Sequence, residues 1–320
     1  ENPPKKYQDI YPLNFESKDL RGLWDGLLGV FQFWMERGVR VFRVDNPHTK
    51  ALPFWEWCIA EIHKTDPDVV FLAEAFTRPH VMYSLAKGGY TQGYTYFTWR
   101  NTKADLQEYF EEICNPPVSD FFRPNVWPNT PDILHEQLQT GGRAMFLQRA
   151  ILAATLSANW GIYGPAYELC EGRAAKPAAG KKGSEEYLDS EKYQLREWDR
   201  SDPISIAPLI TQLNRIRQEN PALQRNERLV FHDAPNPQIL CYSKTSEDGA
   251  NTILTVVNLD PLNEHTAWVD LKMDKLGLPW RGSFQVEDLL TGQTYTWKDQ
   301  WNFVALRPWQ MPAHIFRILP

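Results

Sequence analysis

The chain has 320 residues, 42% of them apolar and 23% charged, which is enough for one large domain and a smaller one. Its net charge of −6 offers no basic face to nucleic acid or to an anionic membrane, and no apolar run of about 18 residues is present to cross a bilayer. The four cysteines, Cys58, Cys114, Cys170 and Cys241, are scattered without a C-x-x-C pair; this fits a reducing, cytoplasmic setting, and neither a metal nor a cofactor is expected.

The N-terminal Glu1-Asn2-Pro3-Pro4-Lys5-Lys6 is neither a signal peptide nor an initiator sequence, so the chain is read as beginning inside a longer protein. Leu23, Leu27, Leu28, Phe31 and Trp34 recur at helical spacing and predict a helix over 22–38. A strand is expected over Val39–Asp45, a helix over Phe54–Lys64 and a second strand over Val69–Glu74. Pro79–Lys87 reads as a helix stopped by Gly88-Gly89. Tyr94–Trp99 reads as a third strand, and Thr102–Glu112 as a helix. A polar, proline-rich loop is expected from Cys114 to about Pro131. Arg143–Ala158 reads as a long helix, Gly161-Ile162-Tyr163 as a short strand, and Pro203–Glu219 as the last helix. Residues 172–183 are of low complexity and read as a loop.

Strand–helix alternation of this kind predicts an α/β fold with a parallel sheet, doubly wound or a (β/α)8 TIM-type barrel. No G-x-G-x-x-G follows a strand, which weakens the dinucleotide-binding alternative. About five barrel strands can be counted, so the N-terminal strands are expected upstream of residue 1. After about Pro221 only short strands and turns follow, such as Leu229–Phe231, Ile239–Tyr242, Thr252–Val257, Trp268–Leu271 and Phe284–Val286. The expected organisation is a partial catalytic barrel over 1–222 and a small all-β sandwich over 223–320.

Three carboxylates stand out. Asp45 and Glu74 each end an apolar strand, and Asp132 follows the long loop. One such residue would read as a helix cap. Two on successive strand tips suit glycoside chemistry, in which retaining enzymes hold a nucleophile and an acid/base about 5–5.5 Å apart. Arg43 lies on the same side of its strand as Asp45 and would keep it ionised. Phe71, Leu72 and Phe76 flank Glu74, and apolar surroundings favour the protonated form. The 13 Trp and 13 Tyr residues serve either the core or stacking on sugar rings; composition leaves both open.

Gly38–Asp45 resembles the nucleophile strand of the α-amylase superfamily (glycoside hydrolase family 13), and Phe71–Ala75 its acid/base strand. Glu1–Pro12, Asp45–Lys50, Tyr94–Lys103 and Glu185–Tyr193 resemble the branch of maltosyltransferases that use a sugar phosphate. The resemblance implies Asp45 as nucleophile, Glu74 as acid/base and Asp132 as the third carboxylate. It implies Lys5, Tyr7 and Asn46 near the phosphate, with Lys6 a further neighbour and Arg43 beside the nucleophile. It implies α-maltose 1-phosphate as donor, α-1,4-glucan as acceptor and a homodimeric parent. A hydrolase or transglycosylase of the same superfamily, acting without phosphate, is the alternative. The superfamily pattern has His before the third carboxylate, where Pro131 stands here, and His four residues after the nucleophile, where Thr49 stands and His48 comes one position early.

Overall fold

The computed structural model describes residues 11–176, 183–191 and 194–319. Lys5, Lys6 and Tyr7 lie outside these residues, as does much of the low-complexity loop. The chain divides into two compact units, Glu1–Gly93 and Tyr94–Pro320.

In the first unit, helix α1 (Leu20–Met35) precedes strand β1 (Val41–Asp45), α2 (Leu52–His63), strand β2 (Val70–Glu74) and α3 (Pro79–Lys87). Strand β3 (Gln92–Tyr94) starts in this unit. β1 pairs in parallel with β2 over Val41↔Val70 to Asp45↔Glu74, and Leu72 and Ala73 pair with Gln92 and Gly93. Strand alternation sends Phe42, Val44, Phe71 and Ala73 to one face, where α1 and α2 cover them. Phe31 packs on Phe42 and Phe71 at centroid distances of 5.1 and 5.5 Å, and Trp24 packs on Phe54 at 5.7 Å. The opposite face carries Val41, Arg43 and Asp45, all exposed.

The second unit continues with α4 (Lys103–Cys114), β4 (Pro124–Val126), α5 (Glu136–Thr140), α6 (Gly142–Leu156), β5 (Asn159–Trp160), α7 (Gly164–Glu168) and α8 (Ala207–Glu219). Thr102 and Asp105 close a capping box at the start of α4. α6 is buried from Met145 to Leu156, so its apolar pattern has no polar face. Arg217 of α8 donates to the carbonyls of Ala154, Ser157 and Ala158, satisfying the end of α6.

Three expectations from sequence are corrected here. Tyr96–Trp99 is a 3-10 turn; the strand is Gln92–Tyr94. The buried Arg149 favours the turn: its guanidinium donates to the Phe97 carbonyl at 2.5 Å, which also accepts the Arg100 N–H across the turn, and to the Arg100 carbonyl at 2.9 Å. The short strand is Asn159–Trp160, and Gly161 lies just past it. A Cβ on Gly161 would come within 2.4 Å of the Trp127 indole, so that glycine permits a close approach. The proline-rich loop also contains β4, which opens on Pro124, where no ladder donor is needed.

The C-terminal strands are β6 (Leu229–His232), β7 (Ile239–Thr245), β8 (Thr252–Asn258), β9 (His265–Asp270), β10 (Ser283–Asp288), β11 (Thr294–Lys298), β12 (Trp301–Leu306) and β13 (Ala313–Leu319). An antiparallel sheet runs β11-β10-β13-β8-β7-β6, and β12 pairs with β9 as a separate ribbon. Ile239, Cys241, Leu254, Val256 and Phe316 of the sheet share one core with Ala267, Val269, Val304 and Leu306 of the ribbon. The other face of β7 and β8 meets the helices: Tyr242 bonds Thr155 of α6 at 2.6 Å, and Gln148 of α6 donates to the Asn258 carbonyl at 2.9 Å. β7 and β8 are thus covered on both faces, and their sequences run nearly continuously apolar.

Lys244 of β7 sits on that helix-facing side, 1% exposed, and its Nζ has no hydrogen-bond partner among the described residues. Burial pushes its pKa down to about 7. The unfolded chain keeps this amine charged up to about pH 10.4, so the cost of burying it grows as pH falls from there toward 7. Lys244→Met, which keeps the stem and removes the amine, is expected to stabilise the protein by about 1–3 kcal/mol at pH 7. Denaturant melts should show the gain shrinking toward pH 10; an equal or lower midpoint at pH 7 would contradict this account.

Candidate active site

β1 and β2 end level with one another, because Asp45 and Glu74 are register partners. Both strands then break. Asn46 takes a left-handed conformation with φ 44°, which asparagine tolerates better than most residues. Pro47–Thr49 follows as one 3-10 turn. The Asn46 backbone N–H donates to the Glu74 carbonyl at 3.1 Å and to Glu74 Oε2 at 3.3 Å, while its side-chain Nδ2 donates to Asp45 Oδ1 at 2.9 Å. One asparagine therefore ties the two strand tips together.

The carboxylates differ in environment. The Asp45 side chain is 58% exposed and that of Glu74 is 6% exposed. Arg43 reaches both, with Nη1 4.0 Å from Asp45 Oδ1 and Nη2 3.5 Å from Glu74 Oε1. Burial pushes the Glu74 carboxyl up to about 7. The Arg43 charge and the Asn46 N–H oppose that rise, and a hydrogen bond with Asp45 reinforces it. Desolvation thus favours the protonated form of Glu74, as a general acid near neutrality requires. Phe71, which the sequence reading set beside Glu74, faces the helices instead; alternation leaves Leu72 on the Glu74 side.

His48 lies next to this pair. Its Nδ1 is buried without a hydrogen-bond partner among the described residues, and burial together with Lys50 lowers its pKa. The ring is therefore held neutral.

Asp132 belongs to the second unit. Its backbone N–H donates to Thr130 Oγ1 at 3.2 Å, inside a tight turn that Thr130 and Ile133 close by mutual backbone hydrogen bonds. The fully buried Asn129 anchors this turn. Its Nδ2 donates to Tyr187 Oη at 2.7 Å and to the Tyr163 carbonyl at 3.3 Å, and its Oδ1 accepts from the Tyr163 N–H at 2.9 Å. Tyr163 in turn donates to Glu191, whose carboxylate also takes the Trp198 indole N–H at 3.2 Å. The hydrogen bond from Tyr163 holds Glu191 below the usual carboxylate range. The sequence motifs point to Asp132 without Asn129 or its anchor Tyr163. Tyr187 and Glu191 lie within the motif Glu185–Tyr193, the one signal that could have found them.

The structure thus brings Arg43, Asp45, Asn46 and Glu74 together and sets Asp132 in its own anchored turn. Among the described residues no group of three or more His, Cys, Asp or Glu side chains could hold a metal ion, and no helix is long and apolar enough to cross a membrane.

Comparison with known proteins follows the same lines. A profile of the family described as "GLGE, C-terminal" matches residues 231–318. The chain is 54% identical over 324 residues to the α-1,4-glucan:maltose-1-phosphate maltosyltransferase of Chlorobaculum tepidum, covering 99% of this chain and 48% of that protein. It is 54% identical to α-1,4-glucan:maltose-1-phosphate maltosyltransferase 1 of Streptomyces coelicolor and 52% identical to the Corynebacterium glutamicum protein of the same description, covering 100% of this chain and 46% of each. The chain spans about half the length of these curated relatives. Among solved structures, a maltogenic α-amylase from Thermotoga neapolitana superposes with a TM-score of 0.73 at 13% identity, over 99% of this chain and 69% of that one. An α-amylase from Geobacillus thermoleovorans, solved with acarbose, gives 0.70 at 14% identity, over 96% and 66%. The fold is that of these α-amylases, and the resemblance read from the sequence motifs holds over the length of the chain.

Proposed function

We propose that this chain is part of an α-1,4-glucan:maltose-1-phosphate maltosyltransferase, and that the natural protein carrying it moves maltosyl units from α-maltose 1-phosphate to the non-reducing end of an α-1,4-glucan. The observation that supports this most directly is the level pair of strand tips, with a solvated Asp45 and a desolvated Glu74 sharing Arg43. Relatives 46–54% identical over nearly the whole chain support the choice of donor and acceptor.

Asp45 attacks C1 of the donor. The bond from C1 to the phosphate oxygen breaks, and Glu74 gives its proton to the departing oxygen. A β-maltosyl ester forms on Asp45. Glu74, now a carboxylate, takes the proton of the acceptor 4-hydroxyl as that oxygen attacks C1 and frees Asp45. Two inversions give net retention. The Asn46 amide, already directed at Asp45, and Lys5 and Tyr7 would meet the phosphate oxygens, where donors and positive charge are needed in an acidic chain. Asp132 would hold sugar hydroxyls.

The parallel pairs β1–β2, β2–β3 and β4–β5 and the α-amylase likeness support a (β/α)8 barrel of which this chain supplies the C-terminal part. Further strands would cover the exposed Val41 face of β1. The loss of long helices after Glu219, together with the profile match over 231–318, supports a domain boundary near residue 222.

The test is phosphate release from maltose 1-phosphate by the natural protein. Release that requires glycogen and extends its chains is expected. Glucan cleavage without phosphorylated donor, and no phosphate release with it, would replace the proposal with a hydrolase or transglycosylase.

A further inference from the structure

Glu171 follows α7, and its side chain is 7% exposed. A carboxylate so far out of water must be compensated. Its Oε1 accepts the Arg173 backbone N–H at 2.9 Å and Nε at 3.0 Å, and its Oε2 accepts Arg173 Nη2 at 2.6 Å and Arg196 Nη2 at 3.0 Å. Burial by itself would raise the Glu171 carboxyl; the bonds from Arg173 and Arg196 outweigh it and hold it down at about 2. The two arginines are not equivalent. The Arg173 side chain is 66% exposed, whereas that of Arg196 is 14% exposed. Arg196 also reaches the Leu188 carbonyl at 3.3 Å and lies over the Trp198 ring at 3.9 Å. It is the inward-facing partner, 25 residues from Glu171 in the chain.

What this pair encloses leads to the Asp132 turn. Between its two members runs the segment 184–188, which pairs with 173–175: the Ala175 N–H donates to the Glu186 carbonyl at 2.8 Å, and the Leu188 N–H to the Arg173 carbonyl at 2.9 Å. The same segment holds the turn. The Glu185 carbonyl accepts the Leu134 N–H at 2.5 Å, the Ser184 carbonyl accepts Gln139 Nε2 at 2.7 Å, and Tyr187 Oη accepts the buried Asn129 amide at 2.7 Å. Asn129 and Leu134 stand on either side of Asp132 in the chain. Glu171 and Arg196 thus clasp a segment that grips both ends of the turn. A buried ion pair adds little net stability over apolar side chains of the same volume, so stability alone does not account for two charges here. Their directional bonds, to one another and to the Leu188 carbonyl, fix the place of the segment.

We propose that the Glu171–Arg196 pair is a positioning device for the donor sugar, which acts through Tyr187 and Asn129 to hold the Asp132 carboxylate where the sugar hydroxyls meet it. This rests on the reading of Asp132 as a carboxylate that binds those hydroxyls. Glu171 and Arg196 are positioning residues and take no part in bond making. Loss of the pair frees the segment, and the turn moves with it; a displacement of about 1 Å in a binding group is enough to be felt in the kinetics.

The test is steady-state transfer from maltose 1-phosphate to glycogen by the natural protein and its variants, with thermal melts beside it. Arg196→Met and Glu171→Gln should each raise KM for maltose 1-phosphate about tenfold. Both should leave KM for glycogen and the pH dependence of kcat unchanged. Combined, they should do no more than the larger single effect, because the two residues act as one pair. Arg196→Lys keeps the charge and should recover part of the donor affinity. Tyr187→Phe removes only the hydroxyl that accepts the Asn129 amide and should raise the donor KM about threefold or more; it and Arg196→Lys carry the test if the other variants melt early. A purely structural pair would lower the active fraction, and so kcat per mole of protein, at unchanged donor KM. That result, or an unchanged donor KM in Tyr187→Phe, would overturn the proposal. A parent protein that transfers nothing from maltose 1-phosphate would instead remove the proposed reaction, and this inference with it.

Discussion

Asp45→Asn in the natural protein is expected to lower maltosyl transfer by at least about 10³-fold, because it removes the carboxylate proposed to form the ester. The substitution is nearly isosteric and the side chain is more than half exposed, so the fold should tolerate it. The Asn46 Nδ2 contact to Asp45 Oδ1 can be kept by the new amide oxygen. Loss of activity with an unchanged melting curve therefore isolates chemistry from folding. Mass spectrometry of the parent protein quenched during turnover with maltose 1-phosphate should find a maltosyl adduct on Asp45, absent from the variant. Turnover within tenfold of the parent would end the assignment of Asp45 as nucleophile.

Glu74→Gln should act in two separable ways. Transfer should fall by about 10²–10⁴-fold, the usual worth of a general acid and base. In the parent, transfer should decline as pH rises through about 7, as Glu74 gives up the proton it must deliver. Stability should move the other way. An unfolded glutamate ionises near pH 4.3, while burial in the fold holds the proton up to about 7. The folded state therefore loses stability as pH rises between these values and stays lower above them. Glutamine has no charge to desolvate, so Glu74→Gln should stabilise the protein by about 1–3 kcal/mol at pH 8 and by almost nothing at pH 4. Chemical denaturation at the two pH values measures this. A variant that is less stable at pH 8 would mean that Glu74 is held as an ion by Arg43, not as an acid by burial.

Much of the candidate pair is legible in sequence because its signals are local. Val41–Asp45 and Val70–Glu74 are apolar runs ended by a carboxylate, and the two-residue spacing of Arg43 and Asp45 puts both on one strand face. The misses have long-range causes. Tyr94–Trp99 reads as a strand, but the Phe97 carbonyl is claimed by Arg149, some fifty residues on. β4 hides in a segment whose prolines suggest a loop. The Asp132 turn is anchored through Asn129 to Tyr163 and Tyr187, 34 and 58 residues away. β11, β12 and β13 were not expected from the sequence.

The sequence by itself determined the candidates: a carboxylate at each of two strand ends, an arginine beside the first, and the periodicities that make those strands and the helices covering them. Only the tertiary structure decided that the Asp45 side chain is exposed while Glu74 is buried, which favours its protonated form. The physical reason is that side-chain period is a property of neighbours in the chain, whereas desolvation and strand register are properties of groups brought together from far apart in it.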